Sequence, residues 1–288
     1  MSGGPCIRTR TAIGQDTRSA EDFVLNTRSD FLLRDTSPLQ GQVSAVFENS
    51  FDLLLNNYLV NINSARHALH PLGILTPASL IAEVRTDQPV TLEPDQLRID
   101  SRSFQLQTHF DPPAPPAANE LKNIELAPLR KCLEIRVNKS RHSSSLLTGD
   151  FDSQPEIISR AGGALVSQPN EKIVDFNRLL DYFGDGEGLT PSFDDICAGL
   201  LFADRRLNCN NIKLPGELFK RLKNITTLTS RWQLEFARRG KLSLALERLF
   251  NRLVEGKASV KDCISACHCG HTSGADILTG IYLYFKNF

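Results

Sequence analysis

Two stretches of this sequence repeat one pattern: SFDDICAGLLF at 192–202 and SGADILTGIYLYF at 273–285. Aligned without a gap, both read Ser-x-x-Asp-Ile-x-x-Gly and continue into apolar residues. A serine with an acidic residue three positions later is typical of a helix start, because each side chain can cap a backbone amide of the other. We therefore predict that a helix begins at each serine. Gly199 and Gly280 lie inside these helices, where glycine costs about 1 kcal/mol relative to alanine, so we expect the helices to cross there.

A hydroxyl residue also precedes each copy of the motif, with Thr190 before Ser192 and Thr272 before Ser273. The first copy follows a glycine-rich stretch, GDGEGLT at 184–190. Helix N-termini with such flanks bind anions, because their free amides and the helix dipole favour negative charge. Two of them together would bind a substrate with two anionic groups; alternatively, the motifs only start two helices. The predicted anion-binding residues are Gly186, Gly188, Thr190, Ser192, Thr272, Ser273 and Gly274.

Acidic residues surround the first copy of the motif, and they argue against a bare phosphate there. They are Asp181, Asp185, Glu187, Asp194 and Asp195. Carboxylates of this kind hold Mg²⁺ or serve as helix caps, and the sequence does not decide between the two roles. No Walker lysine and no βαβ pattern accompany the glycines, which excludes a P-loop and a dinucleotide fingerprint. We expect no cofactor, with Mg²⁺ as the one ion that the acidic residues leave open.

Cysteine and histidine are dense in CISACHCGH at 263–271. Cys263 and Cys267 lie one helical turn apart, as two buried small residues would, and no second ligand pair occurs elsewhere. We therefore predict no metal site, although the cluster with Cys269 and His268 invites one. His271 directly precedes Thr272, so it either donates a proton at the site or caps the loop.

Two further stretches carry polar side chains. Hydroxyl residues precede the only tryptophan in TTLTSRWQ at 226–233, which predicts a capped helix start and, less strongly, an edge of the same site. His67 and His70, in HALHPLG at 67–73, are expected to decorate a loop.

The chain changes character at a proline-rich stretch, DPPAPPAAN at 111–119. Before it, short apolar segments alternate with turn residues, and Asn56 and Asn57 predict a hairpin because asparagine tolerates positive φ. After it, 171–184, 215–225 and 242–256 have apolar residues at helical spacing, the last ending at Gly256. We predict an α+β fold, with a small antiparallel β-rich domain or barrel followed by a mainly helical domain. The predicted divisions are a polar, partly disordered extension at 1–40, the β-rich domain at 41–118 and the helical domain at 119–288.

Charge and composition narrow the function classes. Lys plus Arg and Asp plus Glu number 33 each, so no basic field attracts nucleic acid or an anionic membrane. No apolar run approaches the roughly 20 residues that span a bilayer, and the first residues lack the apolar core of a secretory signal. Seven cysteines without such a signal indicate reduced thiols. We expect a cytoplasmic protein that binds neither nucleic acid nor membrane.

The two motifs resemble those of a known family. GEGLTPSFDDICAGLL at 186–201 is similar to its Gly-x-Gly-Leu-Thr-Pro-Ser-Gly-Asp-Asp motif, and CGHTSGADILTGI at 269–281 to its Gly-His-Thr-Ser-Gly-x-Asp-x-Leu-x-Gly motif. SAVFENSFDLLL at 44–55 and TTLTSRWQLEFARRGKLSLAL at 226–246 are similar to two other segments. The family is that of the AllH-type subunit of oxamate carbamoyltransferase, and the resemblance runs from about Gly41 to the C-terminus. Phe193 departs from the family, which has glycine there, and is expected to narrow the approach to the first helix start.

The resemblance implies a subunit of a carbamoyltransferase complex in anaerobic allantoin degradation, a part of purine catabolism. Such a complex interconverts oxalurate plus phosphate with oxamate plus carbamoyl phosphate. The implied partners are the other subunits and these small anions. Phosphorolysis must hold two anionic groups together and stabilise an oxyanion. On this basis we expect the substrate anions to be bound by Thr190, Ser192, Thr272 and Ser273. The catalytic candidates are His271 as the proton donor, with Asp195 and Asp276 as orienting groups.

Two other functions remain open from the sequence. The first is a non-catalytic scaffold subunit, in which the paired helices pack while a partner performs the chemistry; the isolated chain would then bind no ligand. The second is an Mg²⁺-dependent enzyme that binds phosphate esters or nucleotides through the acidic residues. Its ligand binding would need metal and would be lost on Asp194→Asn or Asp195→Asn.

Overall fold

A computed structural model describes residues 24–28, 37–116, 124–139, 174–186, 188–268 and 272–287. The N-terminal part is a closed β-barrel and the C-terminal part is helical. The predicted α+β fold is thereby confirmed.

The barrel consists of short strands whose inward side chains fill its interior. Along the last strand, Phe104 and Leu106 are buried while Gln105 and Gln107 are exposed, as the two-residue period of a strand requires. The order around the barrel is β1-β5-β4-β3-β2-β6-β7-β8. The strands are β1 Val24–Arg28, β2 Leu39–Val46, β3 Ser50–Leu55, β4 Tyr58–Asn63, β5 Gly73–Leu75, β6 Pro89–Leu92, β7 Gln96–Ile99 and β8 Arg102–Phe110, with helix α1 at Ala78–Glu83.

The predicted hairpin is confirmed. Strands β3 and β4 pair antiparallel across Asn56 and Asn57, and Asn56 has a φ of 53°. The sheet is not purely antiparallel, however, because β1 pairs parallel with β8 and β4 parallel with β5. Runs of helix or loop between these strands allow parallel pairing, which a sequence of short strands does not reveal.

The barrel begins earlier than the sequence predicts. Strand β1 lies within the 1–40 stretch that we assigned to a polar extension, and it closes the barrel between β5 and β8. Its sequence VLNTR looks polar, but Leu25, Thr27 and Arg28 are all buried. A buried arginine is rare unless it is paired, so the polarity of the individual residues wrongly predicts an exposed segment.

The helical part is built around one apolar core. Two strands, β9 Val174–Asp175 and β10 Ile212–Lys213, pair parallel beside it. A helix was expected over 171–184, but the described part of that range is β9 followed by a 3-10 helix at Phe176–Tyr182. The α-helices are α2 Ala127–Lys139, α3 Ser192–Leu207, α4 Leu218–Leu222, α5 Leu228–Ala237, α6 Leu244–Val254, α7 Val260–Cys267 and α8 Ser273–Asn287. Helix α6 is followed by Gly256 at a φ of 66°, as predicted.

Helices α3 and α8 cross at their matched glycines, which confirms the predicted contact. A Cβ at Gly199 would collide with the carbonyl oxygen of Ile277 and lie 3.0 Å from the Cα of Gly280. A Cβ at Gly280 would collide in the same way with the carbonyl oxygen of Ile196. The contacts are reciprocal, so the two copies of the motif are related by a local two-fold arrangement with their helix starts on the same side.

Buried ionic contacts join the barrel to the helices. Arg28 of β1 reaches α6, where its Nη2 lies 3.0 Å from Oε1 of Glu247 and its Nη1 donates to the Leu242 carbonyl at 2.7 Å. Both charged side chains are fully buried. Burial raises the pKa of Glu247 while Arg28 lowers it.

The proline-rich stretch after the barrel is held against the helical part. Arg206 of α3 donates to the carbonyls of Pro113 and Ala114 at 2.5 and 3.0 Å, and Asn251 of α6 donates to Ala114 at 2.6 Å. Prolines leave these carbonyls without a regular backbone partner, and the two side chains satisfy them. The stretch is therefore a fixed connection over its described residues, 111–116.

None of the helices within the described ranges has the length and apolarity needed to cross a membrane.

Candidate functional site

The starts of α3 and α8 lie side by side. Asp195 and Asp276 occupy equivalent positions, each donating its amide to the carbonyl four residues earlier, on Pro191 and Thr272 at 3.2 and 3.1 Å. Their carboxyl groups are buried, with 0% and 1% of each residue exposed, and close enough to interact. Two copies of one motif therefore place two acids next to each other at the centre of the helical part.

Side chains from three parts of the chain lie close to the Asp195 carboxyl. Gln233 of α5 donates from Nε2 to its Oδ1. The hydroxyls of Ser273 and Thr190 stand close to the carboxyl without the geometry of a full hydrogen bond. Thr190 and Ser273, predicted as binders, are thus brought together with Asp195 and Asp276.

The surroundings of Asp195 favour its protonated form. Burial raises its pKa well above the ordinary value of 3.8, and the charge of Asp276 raises it further, while Ser273, Gln233 and Thr190 lower it. No cation pairs with this carboxyl in the part of the chain that the structure describes. Within the same residues, the buried Oδ2 of Asp195 has no hydrogen-bond partner. A buried polar atom without a partner is uncommon and calls for a ligand, a water or a proton.

The predicted capping box is wrong for the first helix. Its N-cap is Pro191, and no side chain caps it. Ser192 is the first helical residue, and Asp195 turns away from the backbone toward Gln233. The helix begins at Ser192 as predicted, but its N-cap lies one residue earlier than a capping box would place it, and neither the serine nor the aspartate caps the helix.

Asp194, next in sequence, has a different task. Its Oδ1 accepts the Gly184 amide at 2.9 Å and its Oδ2 accepts the Thr226 hydroxyl. Burial raises its pKa, and bonds from Thr226, Gly184 and Ser230 lower it. Asp194 therefore fastens the glycine loop and the start of α5 to α3. Asp181 and Asp185 are exposed, and Glu187 lies outside the described residues.

The glycine loop packs against the start of α3. A Cβ at Gly186, where φ is 125°, would collide with the Ser192 amide. The Phe193 amide donates to the Asp185 carbonyl at 3.2 Å, so this helix amide is already used. Gly188, at a φ of 91°, faces open space. The structure gives Gly186 a packing role; anion binding by Gly186, Gly188 and Ser192 stays a prediction.

Phe193 does not narrow the helix start as expected. Its ring is buried and contacts the rings of Tyr182 and Phe183, each at 5.6 Å between centroids. The side chain lies in the core, where its apolar area is removed from water.

The start of α8 is packed against the end of α7. A Cβ at Gly274 would lie 2.6 and 2.8 Å from the carbonyl oxygens of Ala266 and Cys267. Gly274 is therefore needed for close helix packing, and binding by it and by half-buried Thr272 stays a prediction. His271 and Cys269 lie outside the described residues, so the proposed donor has no position here.

The cysteines of α7 behave as core residues, whereas Cys209 is exposed. Cys263 and Cys267 are buried on α7, and the Cys267 sulfur lies 3.5 Å from that of Cys132 on α2. Burial raises the pKa of Cys263 to about 12, which keeps it a thiol. Among the described residues no group of three or more His, Cys, Asp or Glu side chains is arranged to hold a metal ion.

A cleft between the barrel and α5 adjoins the acid pair. Its volume is about 110 Å³, and Gln233 lines it while also bonding Asp195. Its polar wall includes Asp52, whose pKa burial raises, and His70, whose pKa falls to about 4 because of burial and the charge of Arg28. Asn61 donates to Asp52 at 2.7 Å. His70 was expected to decorate a loop; it faces this cleft instead.

Sequence reasoning missed Gln233 and the barrel side of the cleft. Gln233 lies four residues after Thr229, on the same helical face, and that spacing was the available signal. Asp52 and Asn61 lie opposite each other in the predicted hairpin, so its register was the available signal for that pair. His70 comes from a loop, and no local pattern joins it to them.

Residues 182–285 match the family described as oxamate carbamoyltransferase subunit AllH. The family that the two motifs resemble is therefore confirmed over this span, which begins at the end of the 3-10 helix, just before the glycine loop, and ends in α8. Both copies of the motif and α5 lie inside the AllH match, and the barrel lies outside it. No solved structure matches the chain.

Proposed function

We propose that this chain is a subunit of a carbamoyltransferase complex that interconverts oxalurate plus phosphate with oxamate plus carbamoyl phosphate. The reaction would serve allantoin degradation. The match to the AllH family over 182–285 supports the class of complex. The observation that carries a catalytic role, rather than a scaffold role, is the buried Asp195 carboxyl beside Asp276.

A purely packing role does not account for this pair. Placing two carboxyls together in a protein interior costs free energy, because burial and like charge both oppose ionisation. Folding alone would favour apolar residues at these positions. Strongly shifted acids gather at functional sites for this reason. The pair resembles other carboxyl pairs in which one group keeps a proton and the other is ionised.

The pair suits the proton balance of the proposed reaction. A phosphate oxygen attacks the carbamoyl carbon of oxalurate, and the bond from that carbon to the oxamate nitrogen breaks. The nitrogen leaves as an amide and must gain one proton. A protonated Asp195 has the proton to give, and Asp276 beside it can accept one in return. In the reverse direction the same groups exchange roles.

The remaining residues divide between binding and orientation. Ser273 and Thr190 stand beside Asp195, where their hydroxyls can bind a substrate oxygen. Thr272, Ser192 and the helix amides complete the binding set, with His271 as a further proton donor. The adjoining cleft, about 110 Å³ with Gln233 in its wall, gives a small molecule access beside the pair. Mg²⁺ would neutralise a bound phosphate, and its need is part of the test.

The decisive experiment compares Asp195→Asn with wild type in the reconstituted complex. We expect carbamoyl transfer to fall at least about a hundredfold, the usual range for a proton-transfer group. The matched control is Asp100→Asn on an exposed barrel turn, where φ is 54° and asparagine fits. Wild-type turnover by Asp195→Asn would show that the chain is a scaffold.

A binding measurement on the isolated chain separates the alternatives further. Melting temperature is followed with phosphate, carbamoyl phosphate, oxamate and oxalurate, each with and without Mg²⁺. A ligand at 100 times its Kd stabilises by about 2.7 kcal/mol, and Ser273→Ala should remove the shift while Ser64→Ala on the barrel keeps it. A shift that appears only with Mg²⁺ and is lost in Asp194→Asn would instead favour a metal-dependent phosphate-binding enzyme.

A further inference from the structure

Helix α5 carries a second cleft on a face adjacent to that of Gln233, and Trp232 lines both clefts. This α5 groove, about 420 Å³ in volume, is lined by Lys223, Leu228, Arg231, Trp232, Glu235 and Arg239 among others. Residues 228, 232, 235 and 239 follow one another at helical spacing, so they share a face. Gln233 points to Asp195 instead, and the groove is separate from the acid pair.

The α5 groove has more positive charge than its own carboxylate can balance. Glu235 is shared by Arg238 and Arg239, with Arg238 Nη2 at 2.7 Å and Arg239 Nε at 3.0 Å. Lys223 and Arg231 are the two cations in the lining that do not pair with Glu235. In the described residues, neither side chain forms a hydrogen bond or salt bridge, and Arg231 Nε is buried without a partner.

Arg231 is half-buried, and a buried guanidinium nitrogen without a partner is uncommon unless an anion or a water completes it. Guanidinium groups match the geometry of phosphate and carboxylate, and they bind them with short, charge-assisted hydrogen bonds. The remaining walls are Leu228, Phe219, the Trp232 ring and Asn57, whose carbonyl accepts from Trp232 Nε1 at 3.0 Å. Volumes of this size hold small molecules rather than single ions.

We propose that the α5 groove binds a small molecule that joins a phosphate or carboxylate group to an apolar body. Arg231 and Lys223 hold the anionic group, and Leu228 and Trp232 contact the apolar body. The proposal is independent of the reaction assigned to the acid pair.

Trp232 is the only tryptophan of the chain, and it lines both the α5 groove and the cleft beside the acid pair, so its fluorescence detects binding in either and the variants below separate the two. The full chain is titrated with phenyl phosphate, with benzoate, with inorganic phosphate and with benzyl alcohol. We expect saturable changes with phenyl phosphate or benzoate, weakened by added salt because the contacts are ionic. Inorganic phosphate and benzyl alcohol each lack one half of the ligand and should bind more weakly. The stronger of the two aromatic anions identifies the anionic group.

Variants then locate the binding. Arg231→Gln should raise Kd about tenfold, and Lys223→Gln, at an exposed position, should raise it by a smaller factor. The matched control is Lys220→Gln on α4, an exposed cation 3.3 Å from Glu217 and outside the groove. Ser273→Ala should leave Kd unchanged.

Several results would overturn the proposal. They are the absence of a saturable signal in wild type, equal binding of benzyl alcohol and phenyl phosphate, and wild-type affinity in both Arg231→Gln and Lys223→Gln. A signal lost in Ser273→Ala would assign the binding to the acid pair instead. Should Arg231→Gln fail to fold by circular dichroism, Lys223→Gln against Lys220→Gln decides the matter.

Discussion

Two buried acids of this protein have different kinds of partner, one a cation and the other a second acid. Glu247 lies 3.0 Å from Arg28 at the junction of barrel and helices, where both side chains are fully buried. Asp195 lies beside another acid, Asp276, and no cation pairs with it among the described residues. Burial raises the pKa of both. The first arrangement joins two parts of the fold, whereas the second gives folding nothing that an apolar pair would not give better. The acid with a cation has a structural role at this junction, and the acid without one among the described residues is the group for which we propose a catalytic role.

The largest expected effect is at the balanced pair. Arg28→Met leaves Glu247 buried without a cation, so the free energy of unfolding should fall by about 3–5 kcal/mol, measured by urea denaturation. The control is Arg102→Met, which removes a salt bridge to Glu83 whose side chains are 44% and 57% exposed and should cost at most about 1 kcal/mol. Adding Glu247→Leu to Arg28→Met should recover part of the loss. An Arg28→Met protein as stable as its control would remove the distinction between the two acids.

The next effect tests the packing that places the acid pair. Gly280→Ala puts a methyl group into the Ile196 carbonyl, so the helices must separate and stability should fall by about 1–3 kcal/mol. Gly216→Ala is the matched control, since a Cβ there has no neighbour within 4 Å. The melting temperatures of the two variants are compared. Equal values would mean that α3 and α8 do not cross as closely as described.

A smaller effect is expected at the unbalanced acid itself. Asp195→Asn should change the stability at neutral pH by no more than about 1 kcal/mol, because the amide replaces a carboxyl that already favours its neutral form. The loss should appear in turnover instead. A destabilisation comparable to that of Arg28→Met would make Asp195 a structural acid.

The pH dependence has a definite sign at Asp195. Its folded pKa lies above the ordinary 3.8, so the folded state binds more protons and stability declines as pH rises above about 4 through the folded pKa. Asp195→Asn should flatten that decline in denaturation curves recorded from acid to neutral pH. An unchanged slope would contradict the raised pKa.

His70 should show the opposite slope. Its pKa falls from 6.5 to about 4, so the unfolded state binds more protons between these values. Stability should therefore drop as pH falls from 6.5 to 4, by about 1–2 kcal/mol for this partly accessible side chain. His70→Gln should abolish this drop, and the exposed His67→Gln should keep it. Equal slopes in the two variants would show that His70 is not buried at the cleft.

Local patterns made part of this structure predictable. The Asn56 turn, the end of α6 at Gly256 and the crossing at Gly199 and Gly280 all depend on the backbone of one or two residues, which sequence displays directly. Strand β1 was missed because its burial depends on Glu247, far away in the chain.

The same distinction between local and long-range patterns applies to the candidate site. The doubled motif indicated that Thr190, Ser273, Asp195 and Asp276 act together, because a repeated pattern has the same meaning in both copies. Gln233 could have been connected with Thr229 by their helical spacing and Asp52 with Asn61 by the hairpin, whereas the place of His70 depends on how the barrel packs on α5. The first helix begins at Ser192 as predicted, and its N-cap is Pro191 instead of the serine.

The parallel pairing of β1 with β8 also sets an order of events during synthesis. Val24 pairs with Gln105, and Arg28 pairs with Glu247, which the ribosome adds 219 positions after Arg28. The first strand of the barrel thus leaves the ribosome before either neighbouring strand, since β5 follows with Leu75 opposite Asn26 and β8 only later with Gln105 opposite Val24. Pairings distant in sequence make folding slow, and unpaired strand edges invite association meanwhile. The chain therefore has to carry β1 unpaired until β5 and β8 have been made.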